Sequence, residues 1–145
     1  MFDRSLHSPY WALRIAFGVV PVVAGLDKFF NLLTNWEAYL SPLAARVLPV
    51  SPAAFMHVAG VIEILVGLAI LTRFTRLASY AASAWLALIA LNLLTSGRFF
   101  DVAARDAVMA VAAYTLARLE EVRLAVTVRE PRAAAPRMTP AHAGG

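Results

Sequence analysis

Seven polar side chains lie within long apolar runs of this sequence, and they are of types that bind ligands or transfer protons. Lysine, arginine and asparagine donate hydrogen bonds, whereas carboxylates accept them and relay protons. Glu63 and Asp106 are therefore the candidate catalytic residues. The other five are candidate ligand-binding residues: Arg14, Asp27, Lys28, Asn92 and Arg105.

A charged side chain that faces hydrocarbon costs several kcal/mol, so we expect these groups to face the interior of the protein, paired or hydrated. Glu63 and Arg14 lie well inside apolar runs and are the strongest candidates for a binding or catalytic pocket. The alternative is a network of buried ion pairs that sets the register of the helices without any chemistry.

Helical spacing places these residues on defined faces. Arg14, Gly18, Gly25 and Lys28 are separated by three, four or seven residues, which puts them on one face of a first helix. Asp27 lies about a quarter-turn away and is expected to reach toward a neighbouring helix.

The same rule defines two more faces. Gly60, Glu63 and Gly67 share a face of a second helix, on which the glycines allow close approach of another helix. Asp101 and Arg105 are four residues apart and are expected to form a local ion pair, although Arg105 is also the expected partner of Asp27. A third helix is expected to turn inward a face made of Ala81, Trp85, Leu88 and Asn92.

Composition limits the class of protein to which this chain can belong. Hydrophobic residues make up 61% of the 145 residues and charged residues only 15%, whereas soluble domains are about 45–50% apolar. The absence of cysteine excludes disulfides, thiolate metal sites and cysteine nucleophiles. The basic residues flank apolar runs instead of forming a basic face, so nucleic acid is not an expected partner, whereas the lipid bilayer is.

The elements that position these side chains are predicted to be helices. Four segments are long and apolar enough to cross a bilayer: residues 10–33, 52–72, 77–95 and 100–119. Short connections between the last three make neighbouring helices antiparallel, so the predicted fold is all-α, a transmembrane antiparallel four-helix bundle. Between spans one and two, a short interfacial helix is expected, with Thr34 and Glu37 as a capping box; the alternative is a plain loop.

The distribution of lysine and arginine predicts the orientation. Eight of them lie on the side of the two termini and three on the other side, so residues 1–9 and the tail of residues 120–145 are expected to be cytoplasmic. Proline and glycine near the end of the chain predict that this tail is partly disordered. The expected location is the cytoplasmic (inner) membrane of a bacterial type of cell.

Two stretches resemble the first two spans of DoxX-like membrane proteins. They are "LRIAFGVVPVVAGLDKFF" (residues 13–30) and "GVIEILVGLAILTRFTRLAS" (residues 60–79), within a resemblance that covers most of residues 10–119. The positions that match the family pattern are Arg14, Gly25, Lys28, Glu63, Gly67 and Arg76. The resemblance implies a small four-helix membrane protein, and some relatives are membrane subunits of thiosulfate:quinone oxidoreductase or belong to redox systems.

The first functional hypothesis is therefore a membrane subunit of a respiratory or sulfur-oxidising complex that contributes a quinone or quinol pocket and contacts other membrane subunits. Lys28, Arg105 or Asn92 would donate hydrogen bonds to the quinone, while Glu63, Asp27 or Asp106 would relay protons. The alternatives are a non-catalytic accessory or assembly subunit and, less favoured, a small transporter. Neither a metal nor haem is expected, because the sequence has no paired-histidine or Glu-x-x-His spacing.

Overall fold

The structure, a computed structural model, describes the backbone of residues 4–133 and the side chains of residues 5–128. This part of the chain is all-helical, without strands, which confirms the predicted class. Its elements are α1 (Arg4–Asp27), a 3₁₀ turn (Trp36–Tyr39), α2 (Pro42–Val47), α3 (Pro52–Leu71), α4 (Thr75–Thr95) and α5 (Phe100–Ala133).

Three of these helices are long and apolar enough to cross a membrane: Ser5–Asp27 within α1, Pro52–Leu71 and Thr75–Thr95. The fourth predicted span falls on α5, which does not meet the same criterion. Charged residues lie in its first turns and again from Arg118 onward, so its longest uncharged stretch is residues 107–117. α5 has 34 residues and is therefore about 51 Å long, well beyond the ~30 Å of a hydrocarbon core.

Two helices cover ranges that differ from those of the predicted spans. α1 runs from Arg4 to Asp27 instead of over residues 10–33, because the chain turns back after Asp27 and Asn31 takes a left-handed conformation with φ of 52°. α5 continues beyond the fourth predicted span to Ala133, so the first part of the predicted tail is helical. The disorder predicted for the end of the tail falls mainly on residues 134–145, outside the described residues.

Glycines set the contact between α1 and α3, as their spacing predicts. A Cβ atom on Gly67 would lie 2.6 Å from the carbonyl oxygen of Gly18, and one on Gly25 would lie 2.5 Å from that of Gly60. Only glycine permits backbones to approach this closely. The pairing of residues 25 with 60 and 18 with 67 also shows that the two helices run antiparallel where they touch.

The second close contact joins α4 to α5. The Ser83 hydroxyl donates to the carbonyl of Ala110 at 2.8 Å, and the Tyr80 hydroxyl donates to Glu121 at 3.0 Å. These two contacts again pair residues in antiparallel order. The core cluster of the molecule lies near the end that carries the α3–α4 turn, and it comprises Tyr10, Phe17, Ile70, Ala78, Ala82, Ala113 and Leu116.

The segment between α1 and α3 contains a 3₁₀ turn and one short helix, as expected, but the residue that caps the helix is not the predicted one. Thr34 is not a cap: Asn35 precedes the 3₁₀ turn and its side chain makes no capping hydrogen bond. Ser41 caps α2 instead, accepting from the amide of Ala44 at 3.1 Å, and Pro42 begins this helix. Proline suits the first helical position because the amide hydrogen that it lacks would have no partner there.

Different elements meet at the two ends of the molecule. The loop end comprises residues 28–51 and the α4–α5 turn at residues 96–99, which meet where the Tyr39 and Phe99 rings pack 4.7 Å apart. The terminal end comprises the first turns of α1, the α3–α4 turn at residues 72–74, and α5 from residue 116 onward. Tyr10 of α1 meets Arg123 of α5 there, with a hydrogen bond of 2.9 Å.

Candidate functional site

A buried ion pair lies at the loop end between α1 and α3. The ammonium of Lys28, the residue after α1, lies 2.6 Å from Oε2 of Glu63 in the middle of α3. The two residues are only 6% and 8% exposed. The glycine contact makes this possible, because the lysine stem packs where a side chain on Gly60 would stand.

Two tryptophan side chains enclose the ion pair. The Trp36 ring, from the 3₁₀ turn, lies over the Lys28 ammonium with 3.7 Å between the nitrogen and the ring centroid, a cation–π contact. The Trp85 indole, from α4, donates a long hydrogen bond of 3.4 Å to Oε1 of Glu63. An acid, a base and two flat aromatic surfaces therefore meet at one place.

Asp27 holds Trp36 in position. One of its carboxylate oxygens accepts the indole hydrogen of Trp36 at 2.7 Å, and the other accepts the amide of Leu32 at 3.0 Å. The amide of Leu33 bonds to the same carboxylate. The expected partnership of Asp27 with Arg105 is therefore wrong: Asp27 folds the chain back after α1 and does not reach α5.

Asn92 also holds the loop in place. Its side-chain oxygen accepts the amide of Ser41 at 3.1 Å, and its side-chain nitrogen donates to the carbonyl of Tyr39 at 2.7 Å. The inward face predicted for α4 is correct for Trp85 and Asn92 but wrong for Ala81 and Leu88, which are exposed. The buried positions of α4 follow its contact with α5 instead, because Ala78 and Ala82 belong to the core cluster.

Arg105 and Asp106 pair with each other. Nε of Arg105 lies 3.1 Å from Oδ1 of Asp106, with the arginine side chain 64% exposed and the aspartate side chain 7% exposed. The predicted pair of Asp101 with Arg105 is not formed. Within the described residues, no hydrogen bond or ion pair joins Asp106 to Lys28 or Glu63.

Arg14 belongs to the opposite end of the molecule. It precedes Lys28 by fourteen residues, which is about 21 Å along a helix. Its guanidinium donates to the carbonyls of Ile70 at 3.1 Å and Thr72 at 2.6 Å, so it caps the C-terminus of α3. The seven predicted residues thus do not form one site, because Arg14 is separated from the group at the loop end.

Sequence reasoning missed three residues that surround Arg14. The Tyr10 hydroxyl accepts from Nη1 of both Arg14 and Arg123, at 3.0 and 2.9 Å, and Glu120 lies 3.3 Å from Arg123 with only 6% of its surface exposed. The signal for Tyr10 is its place at the start of the first predicted span, since tyrosine is enriched at membrane interfaces. Glu120 and Arg123 were assigned to the cytoplasmic tail, because the fourth span was expected to end near residue 119.

Comparison with known proteins places these features in a family. The family model described as DoxX matches residues 10–97, which is more than half of the chain, and the match includes Arg14, Lys28 and Glu63. The match ends before α5 begins, so Arg105 and Asp106 lie outside it. No curated protein and no solved structure matches the chain.

Proposed function

Because the chain belongs to the DoxX family and is an integral membrane protein, we propose that it is a membrane subunit of a redox complex and that the Lys28–Glu63 pair forms a quinone or quinol site. The observation that carries this proposal is the burial of an ion pair at 2.6 Å between helices that are apolar enough to span a membrane. Ionisable groups inside a membrane are costly and most often functional. Stability alone does not require such a pair, since apolar residues of similar volume often serve equally well.

The residues at the loop end have the chemistry that a quinone requires. Reduction of a quinone to a quinol takes up two electrons and two protons. The Lys28 ammonium can donate a hydrogen bond to a carbonyl oxygen, and Glu63 can supply or accept a proton. In this proposal the electrons come from a partner subunit, because the chain has no cysteine with which to hold an iron–sulfur cluster.

In this proposal, the quinone ring binds on the side of the Lys28 ammonium that the Trp36 ring covers. The Trp36 indole is flat, lies 3.7 Å from the Lys28 nitrogen and is carried by a loop instead of a membrane-spanning helix. A quinone ring can occupy the same side of the ammonium when the loop moves aside. Asp27 and Asn92 then act as positioning residues for the loop. Asp27 binds the side chain of Trp36, and Asn92 binds backbone groups of the loop.

Asp106 is proposed as the second proton-carrying group, with Arg105 as the residue that holds its carboxylate in place. The buried carboxylate and the exposed arginine lie 3.1 Å apart, and this places a titratable group between the interior of the protein and its surroundings. This role does not need direct contact with Glu63, because a proton can travel through water between the two acids.

We further propose that residues 100–119 of α5 form a fourth span and complete an antiparallel bundle whose termini are both cytoplasmic. The antiparallel contact of α5 with α4 supports this, as does the positive charge of the terminal end, where Arg73, Arg76, Arg118 and Arg123 lie. The corresponding location is the cytoplasmic membrane of a bacterial type of cell.

The test of the site uses the full chain in mild detergent and a short-tailed quinone as the probe. Binding is followed by quenching of tryptophan fluorescence, since Trp36 and Trp85 flank the pair. The double variant Lys28→Met, Glu63→Met removes both charges without leaving either one alone, and it should abolish quenching. Glu37→Gln, an exposed acid on the same loop, is the matched control and should quench like the wild type. Absence of saturable quenching in the wild type would refute the quinone site.

A second candidate is a non-catalytic accessory or assembly subunit. The observation in its favour is that the loop-end groups already have partners within the chain: Asp27 and Asn92 bind the loop, and Lys28 binds Glu63. This candidate predicts that the double methionine variant still assembles with its partner subunits and supports full turnover of the complex. The quinone proposal predicts assembly with loss of turnover.

A further inference from the structure

A cleft opens at the terminal end of the molecule, far from the Lys28–Glu63 pair. It has a volume of about 330 Å³ and lies between α1, the α3–α4 turn and the continuation of α5. The residues that matter for its chemistry are Arg14, Arg73, Glu120 and Arg123. The wall formed by α5 exists only because this helix continues beyond residue 119.

Positive charge exceeds negative charge in this cleft. Three arginines and one glutamate line it. Glu120 lies 3.3 Å from Arg123, so one arginine has an anionic neighbour. Arg14 binds only neutral acceptors, namely the Tyr10 hydroxyl and the carbonyls of residues 70–72. Across the described residues, neither Arg14 nor Arg73 has a carboxylate within 4.0 Å, so neither arginine is paired with an acid.

Two of the guanidinium groups are held in place by the same hydroxyl. Tyr10 is fully buried and accepts from Nη1 of Arg14 at 3.0 Å and from Nη1 of Arg123 at 2.9 Å. Arg14 is fixed further by the carbonyls at the end of α3. A ligand would therefore not need to order these side chains, and this reduces the entropic cost of binding.

The depth of the cleft favours a phosphate ligand. The membrane-capable stretch of α3 ends at Leu71, and that of α4 begins at Thr75. The turn between them carries Arg73 and therefore lies at the boundary between the membrane and water. Phosphate groups of lipids lie at this depth. Guanidinium groups bind phosphate oxygens through paired, charge-assisted hydrogen bonds.

We propose that this cleft binds the phosphate group of an anion, with Arg73 and Arg123 as its hydrogen-bond donors and Arg14 as a fixed positive charge in the wall of the cleft. The phosphate can belong to an anionic lipid headgroup or to a soluble phosphate compound, and the chemistry of recognition is the same. The site does not depend on the proposed quinone site, because the two lie at opposite ends of the molecule and share no residue.

The experiment has a lipid arm and a soluble arm, both with the full chain in detergent. In the first, native mass spectrometry measures binding of phosphatidylglycerol against phosphatidylcholine, whose choline cation the arginines would repel. In the second, inorganic phosphate is compared with chloride at equal ionic strength, by its effect on thermal unfolding. Arg73→Gln and Arg123→Gln should each weaken binding about tenfold, since one charge-assisted hydrogen bond is lost.

Two matched controls separate this cleft from general surface charge. Arg76→Gln removes the same charge from the first turn of α4, and Arg118→Gln removes it from α5, where Arg118 pairs with Glu121 at 2.6 Å. Neither residue lines the cleft, so both variants should bind like the wild type. Preference for phosphatidylglycerol with this variant pattern identifies a lipid site, and stabilisation by phosphate with the same pattern identifies a soluble ligand. Equal losses in all four variants, or no binding in either arm, would overturn the proposal.

Discussion

The two ends of this molecule bury similar groups and arrange them in opposite ways. At the loop end, Lys28 and Glu63 neutralise each other at 2.6 Å and tryptophan rings cover them. At the terminal end, Arg14 and Arg73 have no carboxylate partner in the described structure, and the cleft beside them is open. A polar cluster inside a membrane protein is therefore not a single kind of feature. Balanced charges allow a closed site, whereas excess charge requires a polar neighbour or a ligand.

The difference originates in the helices that surround each cluster. Glycine contacts bring α1 and α3 together between Gly18 and Gly25 on one helix and Gly60 and Gly67 on the other, so the two helices approach closely beside the loop-end pair. At the terminal end, α3 stops at Leu71 while α5 continues to Ala133. The wall formed by α5 is thus longer than the wall formed by α3, and the charges at the end of α3 face a cleft.

The largest effect is expected from removing one member of the balanced pair. Lys28→Met leaves Glu63 as a buried carboxylate without its cation, which should lower the free energy of unfolding by about 3–5 kcal/mol. The double variant Lys28→Met, Glu63→Met should recover most of this loss. Denaturant titration of the purified protein by circular dichroism measures both. Equal instability of the single and double variants would mean that the two charges do not depend on each other.

A smaller loss with a different signature is expected at the terminal end. Arg14→Gln removes hydrogen bonds to the end of α3 and should cost about 1.5–3 kcal/mol. Because Arg14 has no acidic partner, the second substitution Glu120→Gln should not restore stability. Recovery in that double variant would show that Arg14 and Glu120 form a balanced pair after all, and the comparison between the two ends would no longer hold.

The covering of the loop-end pair is tested by Asp27→Asn. The amide group cannot accept both the indole of Trp36 and the backbone amides of Leu32 and Leu33, so the loop should loosen while the helices stay folded. Trp36 should then emit at longer wavelength, and protease should cleave residues 28–41 faster. Unchanged emission in a Trp85→Phe background, in which Trp36 reports more strongly, would show that Asp27 does not hold the ring.

The smallest effect is expected from Arg105→Gln. The arginine side chain is 64% exposed, so its pair with Asp106 should contribute no more than about 1 kcal/mol to stability. Under the proposed redox function, turnover should nevertheless fall, because Asp106, the proposed proton-carrying group, loses the residue that holds it in place. Lys28→Arg is a useful comparison for Arg105→Gln, because it keeps the positive charge beside Glu63, whereas Arg105→Gln removes a positive charge beside Asp106. A large loss of stability in Arg105→Gln would mean that Arg105 is more deeply held than its exposure indicates.

Particular residues show how far the sequence alone could lead. The helical spacing of Gly60, Glu63 and Gly67 predicted a close contact with a glutamate in it, and the structure confirms the contact. The same reasoning failed for Asp27, whose partners are the next residues along the chain and not another helix. It also failed for Arg105, which lies on the surface because the rotation of α5 is set by its packing against α4.

The sequence by itself determined the class of protein, the three membrane-capable helices and the family, because apolar length and helical period are properties of a local stretch. It also identified most of the buried charges, since a charge in an apolar run must find a partner. Only the tertiary structure decided which partner each charge has, where the loop with Trp36 lies and that α5 forms a wall of a second cleft. These depend on the rotation and register of one helix against another, which side-chain packing sets across residues that are distant in the chain.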